Sequence, residues 1–242
     1  AYMDFTDHEV GRLIESLRTS GELDNTLVMY VVGDNGASAE GGLEGTFSEI
    51  ASLIGIQLGL RSTLNRIDEI GGPTSEPHVP VGWAWSMNAP FSWTKQVASH
   101  FGGTRNPLVI HWPKGIKAKG ELRTQFHHVI DVVPTILQAC QIAEPKLVNG
   151  IPQKPIEGVS MLYSFDNATA PGQRQTQYFE LATNRAIYHD GWLACSRYGL
   201  PWITAGRDDG FLNAPWELYN VNEDFSQANN LAERQPAKLK EL

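Results

Sequence analysis

Apolar positions repeat at helical spacing near the start of the chain and then form a short unbroken run, which predicts a helix followed by a strand. Four apolar residues share one helical face: Val10, Leu13, Ile14 and Leu17. Thr6 and Glu9 have the spacing of a capping box, and Gly21 supplies a stop. Residues 27–32 have the β-branched content of a strand buried on both faces, as in a parallel sheet. This part of the chain therefore predicts an α–β unit.

The middle of the chain alternates irregular stretches with predicted regular elements. Prolines and glycines interrupt residues 36–93, although residues 50–64 have the composition of a helix. Residues 107–113 predict a second buried strand. Asp131 is placed to cap a helix that has Pro134 in its first turn.

The end of the chain has a different residue pattern, in which short apolar segments are separated by turn residues. An antiparallel meander is predicted at residues 177–181, 186–188 and 192–195. A final strand is predicted at residues 216–221, and a turn and closing helix at residues 224–242. The simplest architecture is α/β. A parallel α/β core occupies residues 1–150, and a small α+β subdomain with an antiparallel sheet occupies residues 151–242.

Composition narrows the classes of function. Hydrophobic residues make up 41% of the 242 residues and charged residues 19%, as in an ordinary globular protein. The net charge of −8 argues against a nucleic-acid partner, and no apolar run has the length of a membrane span. Two cysteines are too few for a disulfide framework or a zinc site. Cys140 fits a buried helical thiol and Cys195 a strand residue. The cellular compartment, bacterial periplasm or cytoplasm, stays undecided.

Asp34, Asn35 and Gly36 follow the first apolar run directly. In open α/β sheets, ligands bind where strands end. A carboxylate and an amide carbonyl are hard oxygen ligands, suited to Ca²⁺ or Mg²⁺. The alternative is a turn formed for local reasons, because Asp-Asn-Gly favours turns.

A second block begins at Lys95 and continues through Gly102-Gly103 and Arg105 into the next strand. Lysine carries three donors on a compact cation, which suits a tetrahedral oxyanion, and paired glycines allow a tight turn under a ligand. The alternatives are a solvated lysine and a structural ion pair for Arg105. His100 lies close to Lys95 and is a candidate substrate contact, although a packed histidine is the simpler explanation.

Together the two blocks resemble the C-terminal half of a sulfatase, with Gly33–Phe47 and Val81–Arg105 most like the large bacterial arylsulfatases. Residues 129–137 and 216–232 are similar to the family's helix entry and its closing strand and helix. The resemblance implies a partial alkaline-phosphatase-like α/β/α sandwich that binds one Ca²⁺ rather than Mg²⁺ and hydrolyses a small-molecule sulfate ester. It further implies that Asp34 and Asn35 are metal ligands and that Lys95 is catalytic and binds the sulfate.

The chain departs from the family pattern at the nucleophile. The formylglycine motif, Cys or Ser followed by x-Pro-x-Arg, is absent. Neither Cys140 nor Cys195 has a proline two residues later, and Ser75 is followed by Pro77 but has no arginine at the last position. We therefore expect the formylglycine to lie in a missing N-terminal half. We also expect this chain alone to be inactive and to fold poorly. Two alternatives stay open: a phosphodiesterase or phosphonate monoester hydrolase of the same superfamily, and a non-catalytic sulfatase-like binding protein.

Overall fold

The computed structural model describes residues 2–56, 58–199 and 209–242. The chain divides into two compact units. The first comprises Ala1–Val31 and Leu108–Gln175, and the second comprises Val32–Pro107 and Thr176–Leu242. The sequence-based division at residue 150 stays a prediction.

The described residues form helices and strands in alternation, with the strands concentrated toward the end of the chain. The helices are α1 (Tyr2–Thr19), α2 (Glu49–Leu53), α3 (Leu60–Leu64), α4 (Val81–Asn88), α5 (Phe101–Thr104), α6 (Val132–Ala139) and α7 (Pro236–Glu241). The strands are β1 (Val28–Val31), β2 (Leu108–His111), β3 (Leu147–Val148), β4 (Ile151–Pro152), β5 (Thr176–Leu181), β6 (Asn184–His189), β7 (Trp192–Ser196) and β8 (Trp216–Asn220). Within the described ranges, none of the helices has both the length and the apolar character that crossing a bilayer requires.

In the first unit, strands β1 and β2 pair antiparallel, with Met29 opposite Ile110. The predicted parallel pairing is therefore wrong. The expected burial on both faces is also wrong, because Val31 is 40% exposed and Val109 is 56% exposed. An apolar run indicates how much surface a strand can bury, but it carries no information on the direction of its neighbour.

Three local predictions in the helices also differ from the structure. Helix α1 already includes Thr6, whose hydroxyl donates to the carbonyl oxygen of Tyr2, so Thr6 is not a cap. Gly21 ends this region with a φ of 77°, as predicted. Two short helices, α2 and α3, replace the single helix expected at residues 50–64. Cys140 follows α6 and is exposed, because the apolar face of this helix is itself partly solvent-facing at Ile136.

The first unit is organised around a buried carboxylate, Asp131, at the start of α6. The backbone N–H groups of Val159 and His128 donate to it at 2.7 Å and 2.9 Å, and the Arg174 guanidinium forms an ion pair with it. Burial acts to raise the pKa of Asp131, but hydrogen bonds from His127, Arg174 and the backbone outweigh it and hold that pKa well below its usual range. Asp131 occupies the N-cap position of α6, but its side chain makes no capping hydrogen bond to that helix. It bonds instead to His127 and His128 just before it and to Val159 and Arg174 further along the chain.

The second unit contains a four-stranded antiparallel sheet in the order β5-β6-β7-β8. This confirms the predicted meander, the final strand and the short helix that closes the chain. Its core contains side chains from the sheet and from the irregular segments before it: Phe47, Val97, Phe101, Leu193, Cys195 and Leu218. The core therefore fixes the segment around Lys95 against the sheet within this unit.

Candidate active site

The two sequence blocks singled out above meet through their backbones. The N–H of Gly36 donates to the carbonyl oxygen of Gly103 at 3.2 Å. The N–H of Lys95 donates to the carbonyl oxygen of Ala37 at 3.1 Å. The loop that carries Asp34 and Asn35 is thus hydrogen-bonded to the segment that carries Lys95, although about sixty residues separate them in the chain.

Glycines make this close approach possible. A Cβ atom on Gly36 would lie 1.6 Å from the carbonyl oxygen of Gly102. A Cβ on Gly102 would lie 2.2 Å from the carbonyl oxygen of Ser92, and one on Gly103 would lie 2.3 Å from that of Val97. Each of these contacts is with backbone, which cannot rotate away as a long side chain can. The three glycines therefore allow two loops to pack with no side chain between them.

Asn88, at the end of α4, links the same two segments through its side-chain amide. Its Oδ1 accepts from the N–H of Ala37 at 2.9 Å, and its Nδ2 donates to the carbonyl oxygen of Trp93 at 2.9 Å. Trp93 and Gln96, which flank Lys95, have left-handed φ angles of 72° and 75°. Such backbone costs about 1–3 kcal/mol per residue and persists only where surrounding contacts enforce it. The conformation of the Lys95 loop is therefore imposed by its neighbours.

The ammonium group of Lys95 forms an ion pair with Glu40, with Nζ 3.0 Å from Oε2. Glu40 also accepts from the hydroxyl of Ser38 at 2.8 Å and from Nε2 of Gln96 at 2.9 Å. Burial acts to raise the pKa of Glu40, but the hydrogen bonds from Ser38 and Lys95 outweigh it, and the pKa is lowered. Glu40 is therefore an anion that anchors Lys95, while 36% of the lysine side chain stays accessible to solvent.

Asp34 is exposed and Asn35 is half-buried in the loop after β1. Across residues 2–56, 58–199 and 209–242, neither side chain has a hydrogen-bond partner or an ion-pair partner. A turn held by its own side chains would use these oxygens internally. Free carboxylate and amide oxygens beside each other are instead the donor set that a hard cation prefers. The residues present therefore fit a Ca²⁺ ion, and their assignment as ligands stays a prediction.

His100 is 3% exposed, and both of its ring nitrogens have partners. Nδ1 lies 2.9 Å from Oγ of Ser99, and Nε2 lies 3.1 Å from Oε2 of Glu217. A substrate contact would need one of these nitrogens to exchange its partner. The role of His100 in substrate binding stays a prediction.

Sequence reasoning missed Glu40 and Asn88, and it assigned Arg105 an ion pair. No local pattern marks Asn88, because its two partners belong to segments on either side of it in the chain. Glu40 lies only six residues after Asp34, but its pairing with Lys95 depends on tertiary contact. Arg105 packs against the rings of Phe91 and Phe101, at 4.9 Å and 5.4 Å, and has no carboxylate partner among the described residues.

Two family models together match nearly the whole chain. The model described as "Sulfatase" matches residues 1–142, and the model described as "N-sulphoglucosamine sulphohydrolase, C-terminal" matches residues 92–241. The chain is 28% identical over 245 residues to an uncharacterized sulfatase of Schizosaccharomyces pombe, covering 100% of this chain and 41% of that protein. It is also 28% identical over 175 residues to an arylsulfatase of Klebsiella aerogenes, covering 72% of this chain and 34% of that protein.

Solved structures show the same fold. A Bacteroides thetaiotaomicron protein from work on the metabolism of glycosaminoglycans aligns with a TM-score of 0.59 at 17% identity, covering 98% of this chain and 41% of that one. A structure in complex with its substrate D-glucosamine-2-N,6-O-disulfate aligns with a TM-score of 0.58 at 19% identity, covering 98% of this chain and 36% of that one. The chain thus spans well under half the length of these relatives, and it has part of the alkaline-phosphatase-like fold of its structural neighbours.

Proposed function

Because the chain belongs to the sulfatase family, we propose that it forms part of a hydrolase of small-molecule sulfate esters that depends on Ca²⁺ and formylglycine. One observation carries this proposal. The loop with two free oxygen ligands, Asp34 and Asn35, is hydrogen-bonded to the segment that presents Lys95. A cation site and an oxyanion-binding ammonium group are what transfer of a sulfuryl group requires.

Asp34 and Asn35 are the residues of this chain that would hold the metal. When bound, Ca²⁺ supplies Lewis-acid polarisation of an ester oxygen. The contribution of the chain is to present two oxygen ligands from one short loop whose backbone is fixed at Gly36 by Gly103. Since Ca²⁺ takes six to eight oxygen ligands, other ligands must complete the coordination sphere.

Lys95 binds a sulfate oxygen in the proposed site. Its ammonium group neutralises negative charge that develops on the sulfuryl oxygens, and it has donors beyond the one directed at Glu40. Glu40 acts as a positioning residue, because its ion pair with Lys95 limits the orientations of a flexible side chain before substrate arrives. The proposal does not use His100 as a substrate contact, since that ring is buried.

The nucleophile lies outside this sequence. No cysteine or serine among the 242 residues is followed by x-Pro-x-Arg, so the chain has no site from which a formylglycine is made. We therefore expect the chain alone to give no turnover of aryl sulfates in the presence of Ca²⁺. Turnover above background by the isolated chain contradicts the assignment of a formylglycine nucleophile elsewhere.

Lys95→Ala in the full-length protein that carries this chain tests the proposed role. Loss of one oxyanion donor lowers turnover by about 10²–10³-fold, and we expect a loss of that size in kcat/KM for an aryl sulfate. Lys119→Ala is the matched control, because Lys119 is an exposed lysine in the other unit. Unchanged activity in Lys95→Ala refutes the assignment. Faster turnover of an aryl phosphate diester than of the sulfate by the native protein indicates a phosphodiesterase instead.

A further inference from the structure

A second cluster of ligand-forming side chains lies in the second unit, away from Asp34 and Asn35 in sequence. It consists of His100, Cys195 and Glu217, whose ligand atoms all lie within 4.8 Å of one another. His100 precedes α5, Cys195 belongs to β7 and Glu217 belongs to β8. We propose that these three side chains bind a transition-metal ion, with Zn²⁺ the best fit. This site is independent of the proposed sulfatase function.

The ligand atoms of the cluster lie close enough together to surround one metal ion, and two of the three distances can be compared with tetrahedral zinc geometry. Sγ of Cys195 lies 4.0 Å from Nε2 of His100, and Nε2 lies 3.1 Å from Oε2 of Glu217. With Zn–S near 2.3 Å and Zn–N and Zn–O near 2.0 Å, tetrahedral geometry places such atoms about 3.3–3.5 Å apart. Nε2 of His100 and Oε2 of Glu217 are therefore within a few tenths of an ångström of that spacing. Sγ of Cys195, which lies within 4.8 Å of both other ligand atoms, must move toward them by about 0.5 Å or more to complete the coordination shell.

The chemistry of the ligands selects the metal. A thiolate and an imidazole favour Zn²⁺ over Ca²⁺ or Mg²⁺, which prefer oxygen ligands. Binding displaces the thiol proton of Cys195 to solvent. Glu217 is 27% exposed at its side chain, whereas His100 and Cys195 are buried, so the solvent side of Glu217 is where water completes the shell.

Hydrogen bonds around the cluster match those that support metal ligands. A histidine that binds a metal through one nitrogen normally donates from the other, and Nδ1 of His100 lies 2.9 Å from Oγ of buried Ser99. The hydroxyl of Tyr219 donates to Oε2 of Glu217 at 2.6 Å, which orients the carboxylate. The three ligands also come from three separate segments. A bound ion would therefore join the loop that contains His100 to two strands of the sheet.

Cobalt substitution in the native protein tests the site. After removal of metals with a chelator, Co²⁺ is added in the presence of excess Ca²⁺, which occupies oxygen-only sites. We expect one equivalent of Co²⁺ to produce a thiolate-to-cobalt charge-transfer band. Cys195→Ser should abolish the band, and Cys140→Ser, which removes the exposed thiol, should retain it. Absence of the band in folded native protein overturns the proposal, as does a band that depends on Cys140.

Two further measurements keep the test decisive if Cys195→Ser fails to fold. X-ray absorption of the zinc-loaded native protein should show one sulfur at about 2.3 Å with nitrogen and oxygen neighbours at about 2.0 Å, and a shell without sulfur refutes the site. Ser99→Ala should weaken Zn²⁺ binding by about 10–100-fold, because it removes only the support of His100. Unchanged zinc affinity in this variant contradicts the proposed geometry. None of these readouts depends on sulfate-ester turnover, so the two proposals fail separately.

Discussion

Gly36→Ala is the most direct test of the junction between the two loops. The added Cβ would lie 1.6 Å from the carbonyl oxygen of Gly102 and 3.2 Å from the backbone nitrogen of Lys95. Both neighbours are backbone atoms, so the strain can be relieved only if one loop moves. Overpacking of a well-packed site costs typically 1–3 kcal/mol and occasionally more. With an overlap this deep against backbone, we expect a loss of about 3 kcal/mol in the free energy of unfolding.

Urea unfolding measures this loss, with Gly82→Ala as the control. Gly82 lies in α4 of the same unit and has no atom within 4 Å of its Cβ position. An alanine there should be neutral or stabilise by up to about 1 kcal/mol, because alanine favours the helix. Gly36→Ala should also weaken binding of inorganic sulfate, since separation of the loops displaces Lys95. A native unfolding midpoint for Gly36→Ala would falsify the close approach of the loops.

Three other perturbations address the remaining contacts. Asp131→Asn should destabilise the protein by about 3–5 kcal/mol in a thermal melt, because the buried Arg174 guanidinium loses its carboxylate. The pKa of Asp131 is lowered on folding, so its stabilisation is complete above the ordinary aspartate pKa of about 3.9 and declines as the pH falls below it. Urea midpoints of the native protein should therefore fall in acid, and less so in Asp131→Asn. Asp34→Asn should raise the Ca²⁺ concentration for half-maximal activity by about tenfold, since it removes a charged ligand. Asp68→Asn, which changes an exposed aspartate of the same unit, should leave that concentration unchanged. Asn88→Ala should cost about 1–3 kcal/mol by leaving the amide of Ala37 and the carbonyl of Trp93 without their partner.

The sequence predicts which segments form helices and strands better than it predicts which segments pack against one another. The meander of the second unit is confirmed because alternation and turn residues are local signals. Tertiary contacts decide that β2 runs antiparallel to β1. The residue pattern of 107–113 contains no information on this direction. The apolar helical pattern that Cys140 continues predicts a buried thiol, whereas the thiol is exposed. The pattern identifies the apolar face of α6, whereas tertiary packing decides how much of that face is covered.

The candidate site shows the same contrast between what local sequence indicates and what tertiary contacts decide. Asp34, Asn35 and Lys95 were identified from residue types, spacing and family resemblance, and the structure brings their two loops together. Glu40 and Asn88 hold those loops in place, but each acts through a partner more than fifty residues away. The cluster of His100, Cys195 and Glu217 could not be identified from the sequence, because two cysteines far apart in the chain do not indicate a zinc site. Only the fold places Cys195 beside a histidine and a glutamate.

The packing of Gly36 also affects the chemical stability of the residue before it, Asn35. Asn-Gly is the dipeptide most prone to deamidation, because the glycine nitrogen can attack the side-chain amide and close a cyclic imide that opens to aspartate or isoaspartate. Here that nitrogen donates its hydrogen to the carbonyl oxygen of Gly103, so the attack requires this hydrogen bond to break first. The contact that joins the two loops therefore also protects Asn35 from conversion. If these loops separate, Asn35 should deamidate faster, and its mass should increase by one dalton.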